Sequence, residues 1–325
     1  MDLKRGMEML RATLFGHKES VNPKPESVNP KPSAAEPHAA AELPCPAAPQ
    51  YLAGAELKPP RIHPVSWKDG QVFSESDDPD RVGPLTEPWV APSFVQKTPA
   101  LQMPKTRVEE LDVSGVIGAR TDSFARIVYG VLEPAECAEL LERVNEKGFT
   151  PALLNIGRGF QELSSGVRDG QRVIVDSPEF TAYVFEFLRP HLPQTLRGSS
   201  LVELNERCRF LCYTPGQHFE PHCDGRFTRQ SPHPNAGDSS RVTVQLYLHD
   251  VPAAHGGATT FMRSGGGDSE GLVCQPVVGS ALLFTQELLH EGSLVTAGLK
   301  YTLRTEAMYR PLPVTEATSH PVSGN

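Results

Sequence analysis

From about Arg207 the chain runs in short apolar/polar alternations separated by Gly/Pro turns. In Arg241–Leu248, Val242, Val244, Leu246 and Leu248 take every second place, and Arg241, Thr243, Gln245 and Tyr247 fill the others. Successive side chains of a strand point to opposite faces, so one face enters a core and the other turns toward a wet pocket. Tyr247 is therefore a pocket candidate. The repeated pattern predicts a mainly β domain, a barrel or sandwich of jelly-roll type, with flanking α-helices.

Upstream the period changes. "RIVYGVL" near Ile127 reads as a strand, and Pro134 opens a helix with Cys137, Leu140, Leu141 and Val144 at helical spacing and Gly148 as its stop. A second helix is capped by Ser177, has Pro178 in its first turn, carries a stripe of Phe180, Tyr183, Val184, Phe187 and Leu188, and ends at Pro190. Both stripes are expected to pack on the outside of a sheet.

Residues 1–105 lack such periodicity and read as a disordered, proline-rich region. Leu3, Met7, Leu10 and Leu14 suit only a transient helix. "ESVNPKP" occurs twice, over Glu19–Pro32, which favours an extended spacer or a docking strip for a partner. Trp67, Phe73, Trp89 and Phe94 are costly to leave in water, so part of this region is expected to cross the folded domain as an irregular arm. A domain over 106–313, with its core at 205–311, and a flexible tail over 314–325 complete the expected layout.

Composition narrows the function. Among 325 residues there are 31 prolines and 27 glycines with 38% hydrophobic content, which suits one folded domain plus a long flexible segment. A formal charge of -8 gives no reason to expect nucleic acid. The six cysteines form no CxxC pair or short-spaced zinc pattern, and no secretory or membrane-spanning run is seen. A cytoplasmic or nuclear setting with reduced thiols, and no membrane, is the expectation.

The chemistry concentrates in His222-Xaa-Asp224, His290 and Lys300. Two imidazoles and a carboxylate can hold one face of a ferrous ion and leave the opposite face open. On a strand, His222 and Asp224 point the same way and Cys223 points away; His290 comes from a strand distant in sequence. Lys300 offers a positive charge for an anionic co-substrate, with Arg304, on the same strand face, as its rival. His218 and His222 do not form a zincin pair, because Pro221 opposes the required helix. The loop 225–240 leaves the metal strand directly, and its Arg226 and Arg229, with Arg304, are the substrate-side candidates. "SGGGDSEG" lacks the Gly-Lys-Ser/Thr of a phosphate loop and reads as a hairpin connection.

Five phrases in this order, "YTPGQHFEPHCDG", "RVTVQLYLHD", "GGATTF", "GSALLF" and "HEGSLVTAGLKYTLRTEAMYR", resemble the catalytic core of prolyl 4-hydroxylase-like iron(II) and 2-oxoglutarate dependent dioxygenases. The likeness spans Tyr213–Tyr309 and extends more weakly back to Ile127. It implies a double-stranded β-helix core; Fe(2+) on His222, Asp224 and His290; and 2-oxoglutarate on Lys300, helped by the Tyr213 hydroxyl and by Tyr247. It further implies O2 as co-substrate, L-ascorbate dependence, and release of succinate and CO2 as an organic acceptor is hydroxylated. A protein side chain, proline first, is the expected acceptor, with a small molecule second. A non-catalytic binding module on the same scaffold is the reading from a different class.

Overall fold

The computed structural model describes residues 57–74, 89–96, 106–264 and 271–313. The tandem proline repeat, the Leu3–Leu14 stripe, the 314–325 tail and the interior of the Ser264–Gly271 connection lie outside the described residues.

Alternation produces two facing antiparallel sheets. The larger one runs Arg107–Leu111, Ala125–Tyr129, Ala281–Thr285, Ser239–Tyr247, Lys300–Pro311, Arg207–Tyr213, Gln171–Asp176 and Thr150–Pro151 in spatial order. Ser199–Leu204 pairs with the far half of Lys300–Pro311. The smaller sheet runs Phe219–His222, His290–Gly292, Thr259–Phe261 and Leu272–Cys274. Strands distant in sequence lie side by side in both, and the architecture is the double-stranded β-helix.

Each face of the larger sheet has its own core. On the outer face, Val242, Val244 and Leu246 join Val173, Phe210, Leu303 and Tyr309 under the two helices. Tyr247, Leu282 and Phe284 point the other way and meet Phe261 and Cys274 of the smaller sheet. Because the side-chain period is two, a register slip of one residue would exchange these sets, so burial on both faces locks the pairing.

The helices form where the apolar spacing places them, over Pro134–Lys147 and Pro178–Leu188. Glu133 and Glu136 close a capping box at the first, with the Glu136 carboxylate accepting from the Glu133 amide at 2.9 Å. Ser177 occupies the cap position of the second but makes no capping hydrogen bond, and its buried hydroxyl has no partner. Pro178 supplies the helical φ there instead.

Pieces of the proline-rich stretch lie on the domain. Phe94 is buried edge-on against Phe180 and Tyr183, with ring centroids at 6.4 and 5.4 Å. Trp89 packs on Phe210 at 5.1 Å, and Val72–Phe73 pairs with Phe160–Glu162. Burying these rings favours an ordered path for an otherwise irregular segment. Among the described residues no helix is long and apolar enough to cross a membrane, and five cysteines are free thiols.

Candidate metal centre and cleft

His222 ends one strand of the smaller sheet and His290 begins its neighbour, and the two are directly opposite in register. The strand stops at His222, so Asp224 is reached through irregular backbone and not by the straight alternation expected from sequence. The Asp224 amide donates to the Gln286 carbonyl at 2.9 Å, which fixes that segment. Cys223 points away as expected, its thiol toward the Glu287 carbonyl at 3.3 Å. The Asp224 oxygens then lie 3.8 Å from His222 Nε2 and 3.9 Å from His290 Nε2. One ligand atom from each residue falls within 4.8 Å of the other two, the one such group among the described residues.

The backbone selects the tautomers. His222 Nδ1 lies 2.8 Å from the Glu220 carbonyl and His290 Nδ1 lies 2.9 Å from the Leu288 carbonyl. A carbonyl only accepts, so each Nδ1 carries the proton and each Nε2 presents its lone pair to the cluster. Burial, then the proximity of His290, holds the His222 pKa well below its usual value. Burial also lowers the pKa of His290. Neutral imidazoles result, the form that binds a cation. Phe219 stacks on His222 with centroids 3.7 Å apart, and Phe284 stands edge-on to His290 at 4.7 Å. Two nitrogens and a carboxylate on one side of a shared space suit iron(II).

Burial works to raise the Asp224 pKa, but the Arg304 charge and the Thr243 hydroxyl act against it, and the carboxylate stays ionised. Arg304 Nη2 is 2.8 Å from Asp224 Oδ1, and Thr243 Oγ1 donates to Oδ2 at 2.5 Å. The polar face inferred for the Arg241–Leu248 strand thus reaches the cluster through Thr243.

Lys300 is buried at 3% exposure, its ammonium donating to the Ala258 carbonyl at 3.2 Å and lying 5.5 Å from the Tyr213 ring. Tyr213 is its register partner in the adjacent strand. Burial pushes the Lys300 pKa down to about 7, with the Glu291 charge in opposition. Tyr247 is fully buried between the sheets and donates to Thr259 Oγ1 at 2.9 Å. Its ring belongs to the inter-sheet core, away from the cleft lining.

The three substrate-side arginines separate. Arg304 and Arg226 line a cleft of about 1000 Å³ that also contains His222 and Asp224. Arg229 is not part of that lining: it is buried and ion-paired to Glu203 and Glu206, the latter at 2.5 Å. Its placement corrects the expectation of a substrate contact. A buried guanidinium needs carboxylates, and these two carboxylates use Arg229 to anchor the 225–240 loop.

Sequence reasoning missed Arg168, Arg172 and Arg209 on the same cleft. Arg209 had a readable signal, since it alternates with Tyr213 along Arg207–Tyr213 and so shares that residue's strand face. Arg168 had none, because it sits in an irregular turn before Gln171–Asp176 and only folding brings it over Phe219, 4.7 Å from the ring.

Residues 208–305 match the family model of the 2OG-Fe(II) oxygenase superfamily. A search of curated proteins finds no match. Among solved structures, the chain is similar to a Pseudomonas putida prolyl-4-hydroxylase at 22% identity, covering 60% of this chain and 95% of that one, with a TM-score of 0.43. It is also similar to a Trichoplax adhaerens prolyl hydroxylase solved with a hypoxia inducible factor peptide fragment, at 16% identity over 56% and 82% of the two chains and a TM-score of 0.42. Streptomyces hygroscopicus HygX, with nickel and 2-oxoglutarate bound, is 13% identical over 61% and 84%, with a TM-score of 0.38. The segment that matches the 2OG-Fe(II) oxygenase superfamily contains His222, Asp224 and His290, all within one β-helix.

Proposed function

We propose that the protein is a 2-oxoglutarate-dependent dioxygenase that holds iron(II) on His222, Asp224 and His290, takes the distal carboxylate of 2-oxoglutarate on Lys300, and hydroxylates a protein side chain, proline first. The observation that carries the reading is the meeting of two inward-facing Nε2 lone pairs and one ionised carboxylate within 4.8 Å. Iron with 2-oxoglutarate and O2 supplies the oxidation, giving succinate, CO2 and a hydroxylated acceptor. The protein orients and charges the parts. Glu220 and Leu288 carbonyls fix the imidazoles, Thr243 and Arg304 aim the carboxylate, and Lys300 waits in a dry site for an anion. Tyr213 beside Lys300 supports the same carboxylate.

A protein acceptor fits the open cleft, where Phe160 and Phe227 stand 43% and 41% exposed as apolar contacts. The complete donor set argues against a binding module without turnover. The family resemblance further implies ascorbate dependence, and the proline-rich repeat offers a docking strip for a partner. Free thiols suit a cytoplasmic or nuclear setting. The test is succinate formation from 2-oxoglutarate with iron. Asp224→Ala is expected to abolish it, and cell extract treated with the enzyme is expected to contain a 2-oxoglutarate-dependent hydroxylated product. Iron-loaded protein that neither binds nor decarboxylates 2-oxoglutarate refutes the proposal.

A further inference from the structure

The protein carries a formal charge of -8, yet the cleft beside His222 and Asp224 is walled by cations: Arg158, Arg168, Arg172, Arg209, Arg226 and Arg304. The acids that also line it are already engaged. Asp176 pairs with Arg207 at 2.9 Å, and Glu206 pairs with Arg229. Glu306 pairs with Arg209 at 2.8 Å, and Asp224 pairs with Arg304. Arg209 and Arg304 face each other across the ladder, an arrangement of like charges that costs energy unless anions sit nearby.

Arg168 differs from the rest. It is 9% exposed, Nη1 donates to the Leu153 carbonyl at 3.1 Å, and its buried Nε meets no acceptor. No carboxylate among the described residues forms an ion pair with it. Burial draws its pKa down, and although Tyr213 and Asp224 work against this, the Arg304 and Arg209 charges add to it. A buried guanidinium that meets a neutral carbonyl and the Tyr213 hydroxyl but no counter-anion is an incomplete site. Its position is specific: Arg168 lies over Phe219, and Phe219 stacks on His222.

We infer that the acceptor is an anion, whose carboxylate or phosphate is taken by Arg168 in the arginine-walled cleft while its oxidisable carbon lies by the His222, Asp224 and His290 cluster. This assignment rests on the proposed hydroxylase reading and narrows its substrate class. A neutral acceptor would leave the buried guanidinium uncompensated, whereas an oxyanion accepts from it directly.

Calorimetric titration of full-length protein, metal-free and then with manganese and 2-oxoglutarate, tests the assignment. The probes are three blocked tetrapeptides carrying aspartate, phosphoserine or asparagine beside proline, together with the small acid N-acetylaspartate. At least one anionic probe is expected to bind about tenfold to a hundredfold more tightly than the asparagine peptide. The preference should vanish in Arg168→Ala and survive in part in Arg168→Lys, with folding of both checked by circular dichroism. Aspartate against phosphoserine names the oxyanion, and peptide against N-acetylaspartate names its source. Equal binding of charged and neutral probes, no binding of any charged probe, or a preference that persists in Arg168→Ala overturns the inference. So does a loss in Arg168→Ala that falls on 2-oxoglutarate affinity alone. Succinate release measured on the same wild-type preparation tests the hydroxylase reading separately.

Discussion

Co-substrate affinity should fall steeply as pH rises through neutrality, because the proposed anchor is a lysine with no fixed counter-anion against it. Lys300 is buried, its ammonium is met by one carbonyl and an aromatic face, and burial lowers its pKa from 10.5 to about 7. Only the protonated form can pair with the distal carboxylate of 2-oxoglutarate. Below about 7 the free protein already holds that proton. Two pH units higher only about 1% of it does, so between about pH 6 and about pH 9 the Kd should rise about a hundredfold, or ~2.7 kcal/mol. Titration calorimetry with manganese in place of iron reads the affinity, and repetition in buffers of different ionisation enthalpy counts the proton taken up. Lys300→Met should bind weakly and without this pH dependence. A Kd that stays flat across the range in wild type, or an unchanged Kd in Lys300→Met, refutes the assignment of Lys300. Stability without ligand has the opposite trend. The unfolded chain keeps the lysine proton that the folded protein has lost, so stability contributed by this group rises with pH from about 7 to 10.5.

Asp224→Ala should abolish both metal binding and succinate release, read by metal analysis after dialysis and by product assay; retained metal at wild-type affinity contradicts the ligand set. Thr243→Val removes the hydroxyl that aims Asp224 and should weaken metal affinity about 10- to 100-fold. That change is read in a chelator competition, and an unaltered affinity excludes an aiming role. Arg229→Ala should destabilise the fold by about 1–2 kcal/mol, since Glu203 and Glu206 are partly exposed and regain water when the cation is lost. Denaturant unfolding checks this, and a loss confined to acceptor binding would return Arg229 to the substrate side. Tyr247→Phe should cost about 1 kcal/mol of stability through the Thr259 hydrogen bond and leave 2-oxoglutarate affinity within about threefold of wild type.

Both helices were legible because a 3.6-residue apolar stripe between a proline and a glycine or proline leaves few alternatives. Val242, Val244 and Leu246 were legible because period two has one solution when both faces of a sheet are covered. Tyr247 shows the limit of that logic. Alternation placed it correctly on the inner face but could not say whether that face meets the cleft or the opposite sheet at its position. Arg229 is a similar case, since ion pairing with Glu203 and Glu206 depends on a strand more than twenty residues upstream.

Which donors were available was already written in the local sequence: His222, Asp224, His290 and Lys300, their residue types and their order along strands. Those properties are local, set by side-chain chemistry and by the two-residue repeat. Folding settled that the strand breaks at His222, that each Nδ1 keeps its proton by donating to a backbone carbonyl, and that Arg168 comes to rest over Phe219 without a carboxylate. Such outcomes depend on contacts between segments far apart in the chain, where burial and charge are settled by packing.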